Sequence, residues 1–156
     1  MKYLSHSLTL LIIIFLTSCD PDMVYDQYSQ TGDGMWRWQE AKEFKIDISD
    51  TVSQNNIYLQ VRHTVEYPMS NLYMFVHIKG PSGQLLKDTV NLVIASPDGK
   101  WTGRGTGNLR ELRLLYRRNS KFSQPGAYIF TLEQGMRNPE LPITDLGIRI
   151  ERSNPD

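Results

Sequence analysis

The chain has 156 residues, 40% of them hydrophobic and 22% charged, enough for one domain with a sizeable core and no need of cross-links. Seventeen Lys plus Arg match seventeen Asp plus Glu, and Lys2 is the one charge in residues 1–18, so the rest carries sixteen against seventeen, a formal −1. That balance excludes a long-range field for gathering nucleic acid or an anionic bilayer, and a single Cys excludes an intramolecular disulfide.

The first element in chain order is a leader. A basic start at Lys2 precedes the apolar stretch from Leu8 to Leu16, followed by Thr17-Ser18-Cys19, the architecture of a signal peptide. Nine residues are too few to span a bilayer, which takes about 20 as a helix, and Asp20-Pro21-Asp22 follows at once. Leu16-Thr17-Ser18-Cys19 resembles the bacterial lipobox, in which small residues fit the lipoprotein signal peptidase and the cysteine thiol accepts a diacylglyceryl group. Residues 1–18 are therefore expected to be a lipoprotein signal peptide and Cys19 the lipidated residue. The acyl chains contribute about 0.8 kcal/mol per buried methylene, so two or three hold a protein on a membrane without measurable release. Asp20 retains lipoproteins at the inner membrane in some enterobacteria, a rule not known to be general, and the outer membrane is favoured here.

Residues 19–34 are polar, rich in Asp, Gln, Ser and Gly, and show no apolar period, which predicts a lipidated N-terminus and tether; residues 35–156 are predicted to form the folded domain. Phe44, Ile46 and Ile48 alternate with Lys45 and Asp47, the period of a strand with one buried face. Ile57, Leu59, Val61 and Val65 continue that pattern in a longer run, which ends at Tyr67-Pro68 because Pro lacks an N–H for the ladder. Leu72, Met74, Val76 and Ile78 then share one face and Tyr73, Phe75 and His77 the other, so both faces are expected to be partly covered. After a turn at Gly80-Pro81-Ser82-Gly83, Val90, Leu92 and Ile94 fall in step within a strand or bent pair, ending at Ser96-Pro97-Asp98-Gly99. Trp101 to Gly107 reads as a flexible Gly-rich loop, and Leu109 to Tyr116 as a short strand in preference to a helical turn. Tyr128, Phe130 and Leu132 alternate in a further strand; Asn138-Pro139-Glu140-Leu141-Pro142 breaks the chain; Leu146, Ile148 and Ile150 close it. About eight closely spaced strands and no long helix predict an all-β antiparallel β-sandwich, jelly-roll-like or Ig-like.

The chemistry-bearing residues point away from an enzyme. His63 lies in register with Val61 and Val65, where a catalytic or metal-binding group and a hydrogen-bonded core histidine are both open; with no Cys or second nearby His as a ligand set, the core histidine is favoured, and the same holds for His77. Gly103, Gly105 and Gly107 lack the Lys-Ser/Thr and helix start of a phosphate loop. No paired carboxylates or nucleophile elbow are evident, so no catalytic residue, metal or cofactor is expected. Trp36 and Trp38 share a face, where capping the core is favoured over offering a contact surface; Trp101, in its loop, is the better contact candidate, with Arg104 beside it to pair with an acidic partner.

The lipobox leader, the segment Tyr67-Pro68-Met69-Ser70-Asn71-Leu72-Tyr73, and the tail from Tyr128-Ile129-Phe130-Thr131-Leu132-Glu133-Gln134-Gly135-Met136-Arg137 to Asp145-Leu146-Gly147-Ile148-Arg149-Ile150-Glu151 together resemble the gliding-motility lipoprotein GldH family of the Bacteroidetes. The likeness covers nearly the whole chain, and the tail carries most of it. It implies a noncatalytic cell-envelope lipoprotein, contributing to gliding or the associated type IX secretion assembly through contacts with other envelope proteins, with no family catalytic residues to carry over; the charge balance adds the expectation of no nucleic-acid partner. The rival reading is a glycan-binding surface lipoprotein of a nutrient-uptake system, drawn from Trp36, Trp38, Trp101 and the sandwich form.

Overall fold

A computed structural model describes residues 20–153. The expected signal peptide and the lipidation site Cys19 lie outside the described residues. Ten strands are formed among the described residues: β1 (Met23–Gln30), β2 (Trp36–Arg37), β3 (Lys42–Ile48), β4 (Asn55–Thr64), β5 (Asn71–Lys79), β6 (Leu85–Val93), β7 (Leu109–Ser120), β8 (Gly126–Gln134), β9 (Glu140–Leu141) and β10 (Ile143–Arg152). Eight are long and two are two-residue pieces, which reconciles the expected eight with the observed ten.

Two four-stranded antiparallel sheets, ordered β1-β10-β4-β7 and β3-β8-β5-β6, carry the long strands. The pairs β1·β10, β3·β8, β4·β7 and β5·β6 match first with last, second with seventh, third with sixth and fourth with fifth of the long strands. That is one long hairpin folded over on itself, the wiring of a jelly roll, and it decides against the Ig-like alternative. Where sequence alternates, the structure buries the apolar partner: Phe44, Ile46 and Ile48 from β3, Ile57, Leu59 and Val61 from β4, Leu72, Met74 and Val76 from β5, Phe130 and Leu132 from β8, and Leu146, Ile148 and Ile150 from β10 form one core. Each fully buried aliphatic or aromatic side chain of this kind contributes about 1.5–3 kcal/mol.

Three expectations change. Met23–Gln30 is not tether but a strand paired to β10 from Met23 with Glu151 to Gln30 with Asp145. Its eight residues are exposed or half-buried, so it carries no apolar stripe and is held by its ladder. Val65 falls beyond β4, exposed, with its N–H bonded to the Asn108 carbonyl. Residues 109–120 form a full twelve-residue strand.

The connections gather at two ends. Residues 31–41, 65–70, 94–108 and 135–142, which include the three longest connections, meet at one end of the sandwich (the long-loop end), and 49–54, 80–84 and 121–125, none longer than six residues, at the other (the short-loop end), beside Asp20. The candidate contact residues all belong to the long-loop end.

Candidate functional site

The 94–108 connection is fastened rather than loose. Ala95 bridges Trp101, the Asp98-Gly99 turn closes with a Gly99 N–H to Ser96 carbonyl bond of 2.9 Å, and the Thr102 N–H reaches the Ile94 carbonyl at 3.0 Å. Arg104 and Glu111 exchange two backbone hydrogen bonds of 2.8 and 2.7 Å, which stitches the loop to the free edge of β7. Glycine is required for that approach, because a Cβ on Gly103 would lie 2.8 Å from the Glu111 carbonyl oxygen and one on Gly105 2.2 Å from that of Leu109. The flexible loop expected from sequence is therefore a backbone extension of the sheet.

Trp101 is half-buried against the core, with its ring 5.0 Å from that of His63, which in turn lies 5.5 Å from Tyr67. Arg104 is exposed beside it and lines, with Thr102, Gly105, Glu111, Leu112 and Arg113, an open groove of about 640 Å³. Glu111 accepts a 2.8 Å hydrogen bond from Arg62, whose guanidinium stacks 3.9 Å over the Tyr28 ring. Burial raises the Glu111 carboxyl, but its hydrogen bond to Arg62 and the charges of Arg62 and Arg113 outweigh burial and hold it below its ordinary range. The groove is thus walled by a fixed anion with Arg104 and Arg113 at its sides.

Trp36 and Trp38 part company. β2 lasts only two residues, and the chain turns after Arg37, where the Glu40 N–H bonds back to its carbonyl at 3.0 Å, so the strand period does not reach Trp38. Trp36 is wholly buried; its indole N–H donates to the Glu40 carbonyl at 2.7 Å, and the Gln134 amide donates to the Trp36 carbonyl at 2.9 Å. It belongs to the core and offers no contact surface. Trp38 is 46% exposed, its indole N–H bonded to the Met136 carbonyl at 2.8 Å. The Met136 sulfur meets the Tyr73 N–H, and Tyr73 and Phe75 are exposed on the outer side of β5, with the Phe75 ring over Gly135. Trp38, Tyr73 and Phe75 thus make an exposed aromatic patch at the long-loop end that the tryptophans alone did not reveal. The aromatic face of the β5 alternation was its signal.

His63 is fully buried, its Nδ1 at 2.9 Å from the Thr64 carbonyl, and the charged group acting on it is the cation Arg110. Among the described residues no group of three or more His, Cys, Asp or Glu is placed to hold a metal. His77 lies 3.9 Å from Glu133. Burial, aided by Arg110 and opposed by the Thr64 carbonyl, lowers the His63 pKa below its ordinary 6.5. A depressed histidine gives stability that is complete above the unfolded value and lost as pH falls, because the unfolded chain takes the proton first. The urea midpoint should therefore drop from pH 7.5 to 5.5, and by less in His63→Gln; equal drops would show that His63 is not the group responsible.

The GldH lipoprotein family model matches residues 23–150. The chain is 34% identical over 150 residues to a gliding motility lipoprotein GldH homolog of Christiangramia forsetii, covering 91% of each chain. It is 32% identical over 162 aligned positions to gliding motility lipoprotein GldH of Flavobacterium johnsoniae, covering 99% of this chain and 100% of that protein. A solved VP2 subviral particle of infectious bursal disease virus is similar at 18% identity and a TM-score of 0.32, across 81% of this chain and 29% of that one, a likeness too slight to weigh on fold or function.

Proposed function

Because the chain belongs to the GldH lipoprotein family, we propose that it is a noncatalytic cell-envelope lipoprotein, held by lipid on Cys19 and contributing to gliding motility or the associated type IX secretion assembly through protein contacts. The observation that carries this reading is a family match running from the first strand to the last. The division of the sandwich supports it: the exposed aromatic patch and the Arg104 groove sit at the end away from Asp20, where a membrane-held protein presents its contacts. The outer membrane remains the favoured site.

The glycan-binding alternative loses its motive. Trp36 is inside the core and Trp101 is wedged against His63, so the three tryptophans do not form one stacking platform.

Deleting the gene in a gliding strain should abolish colony spreading and leave growth in broth unchanged, with spreading restored by the intact gene. Normal spreading of the deletion strain would overturn the motility role.

A further inference from the structure

We propose that the short-loop end of the sandwich rests directly on the bilayer, with the 49–54 loop and the start of β1 in the headgroup layer; this rests on the reading of Cys19 as the lipidated residue. The domain is tied down up to the residue that follows the anchor. Asp20 pairs with Arg149 on β10, and its carbonyl accepts the Met23 N–H at 3.3 Å. The Arg152 N–H donates to the Asp22 carbonyl at 2.7 Å, and the next residue, Ser153, donates to the Gln54 carbonyl at 2.8 Å. Arg149 also holds Asp26 and Glu151, so one guanidinium, itself little exposed, joins β1, β10 and the residue beside the anchor.

No slack is left between lipid and fold. Consecutive Cα atoms are about 3.8 Å apart, so Cys19 begins one such step from a fixed residue. The headgroup layer of one leaflet is about 5–8 Å deep, and a glyceryl group on the cysteine thiol lies at its inner boundary. Asp20, and whatever shares its level in the sandwich, therefore lies in or on that layer.

What shares its level suits it. Val52, at the tip of the 49–54 loop, is 79% exposed, and Met23 and Val24 are 46% and 41% exposed. The register of β1 slips between Met23 and Tyr25, a bulge that turns Val24 toward Ile48, Asp50 and Phe122. The loop is preformed: Asp50 accepts hydrogen bonds from the Val52 and Ser53 N–H groups and the Ser53 hydroxyl, which hold its pKa down to about 2. Exposed Lys121 and Arg152 are offset by Asp47 and Asp50. The contact is thus set by the covalent anchor and a few apolar side chains, and salt should not loosen it.

The experiment uses the lipidated full-length protein, in which an introduced Cys is the one free thiol. Val52→Cys and Thr106→Cys, each labelled with bimane, are placed in phosphatidylcholine vesicles containing phospholipid brominated near the headgroup, with lipid attachment verified by mass. The label at position 52 should lose about half its emission and that at 106 almost none, since the ten residues of β10 span about 33 Å between the two ends. Emission at 52 should be unchanged by added salt. A lipidated protein unquenched at 52 would overturn the seat alone and leave the Val52 tip to a protein partner. Equal quenching at both positions would mean a sandwich lying on its side and would overturn it too. A mature protein without lipid would overturn the anchor and the seat together.

Discussion

Trp36→Ala is expected to lower the free energy of unfolding by about 3–5 kcal/mol, the range for truncating a large aromatic in a packed core, and the melting temperature by roughly 10–20 °C. Trp36 is wholly buried, so its removal leaves a cavity beneath the β2·β9 pair and strips the Glu40 carbonyl of its indole donor. Trp38→Ala, two residues on, removes a half-exposed ring and one hydrogen bond to the Met136 carbonyl, and should cost under about 1.5 kcal/mol. The two are compared by thermal unfolding followed by circular dichroism. Equal losses would contradict the division between core and surface tryptophan. A folded Trp38→Ala protein is then the right reagent for asking whether the aromatic patch contributes to spreading, because any loss of motility cannot be put down to a missing fold.

The other large effect concerns Cys19. Cys19→Ala should take up no labelled fatty acid and should keep its leader of eighteen residues, because lipid transfer to the thiol precedes cleavage at a lipobox. Exchanging residues 1–19 for the leader of a soluble exported protein should move the domain from the membrane pellet to the supernatant, a shift of more than about a hundredfold in its partition, since two or more acyl chains supply nearly all the binding. Fatty-acid labelling of Cys19→Ala, or a pellet-bound exchanged protein, would mean that another feature fixes it to the membrane.

Much of the sandwich was legible because one-sided burial writes itself as a two-residue period. Phe44-Lys45-Ile46-Asp47-Ile48 and Leu146-Gly147-Ile148-Arg149-Ile150 are strands on sight, and both lie in the sheets as read. β1 was not legible for the opposite reason. It is an edge strand whose side chains are exposed or half-covered, and its order comes from β10, some 120 residues away along the chain. The glycines at 103 and 105 were read as freedom, whereas they are there for the backbone of β7, a contact no local pattern encodes. The candidate site was half legible. Arg104 lines a groove, but Trp101 packs inward on His63; Trp36 caps the core as favoured, while Trp38 parts from it because the strand period stops at Arg37, and Tyr73 and Phe75 gain their meaning only beside Trp38 and Met136.

β10 lies between β1 and β4, and so the last of the described strands in chain order is the one that joins the first to the rest of its sheet. A chain threaded through a pore N-terminus first cannot complete that sheet until residue 152 has emerged, and until then β1 has no partner in the ladder. Pairings between residues this far apart in sequence form late, since their loop-closure entropy must be met before they yield stability. On the proposed lipidation of Cys19, the anchored end would be the first to leave the pore and the last to be built into the sandwich. Such a protein would be moored before it is folded, its early strands unpaired for as long as the tail is still in transit.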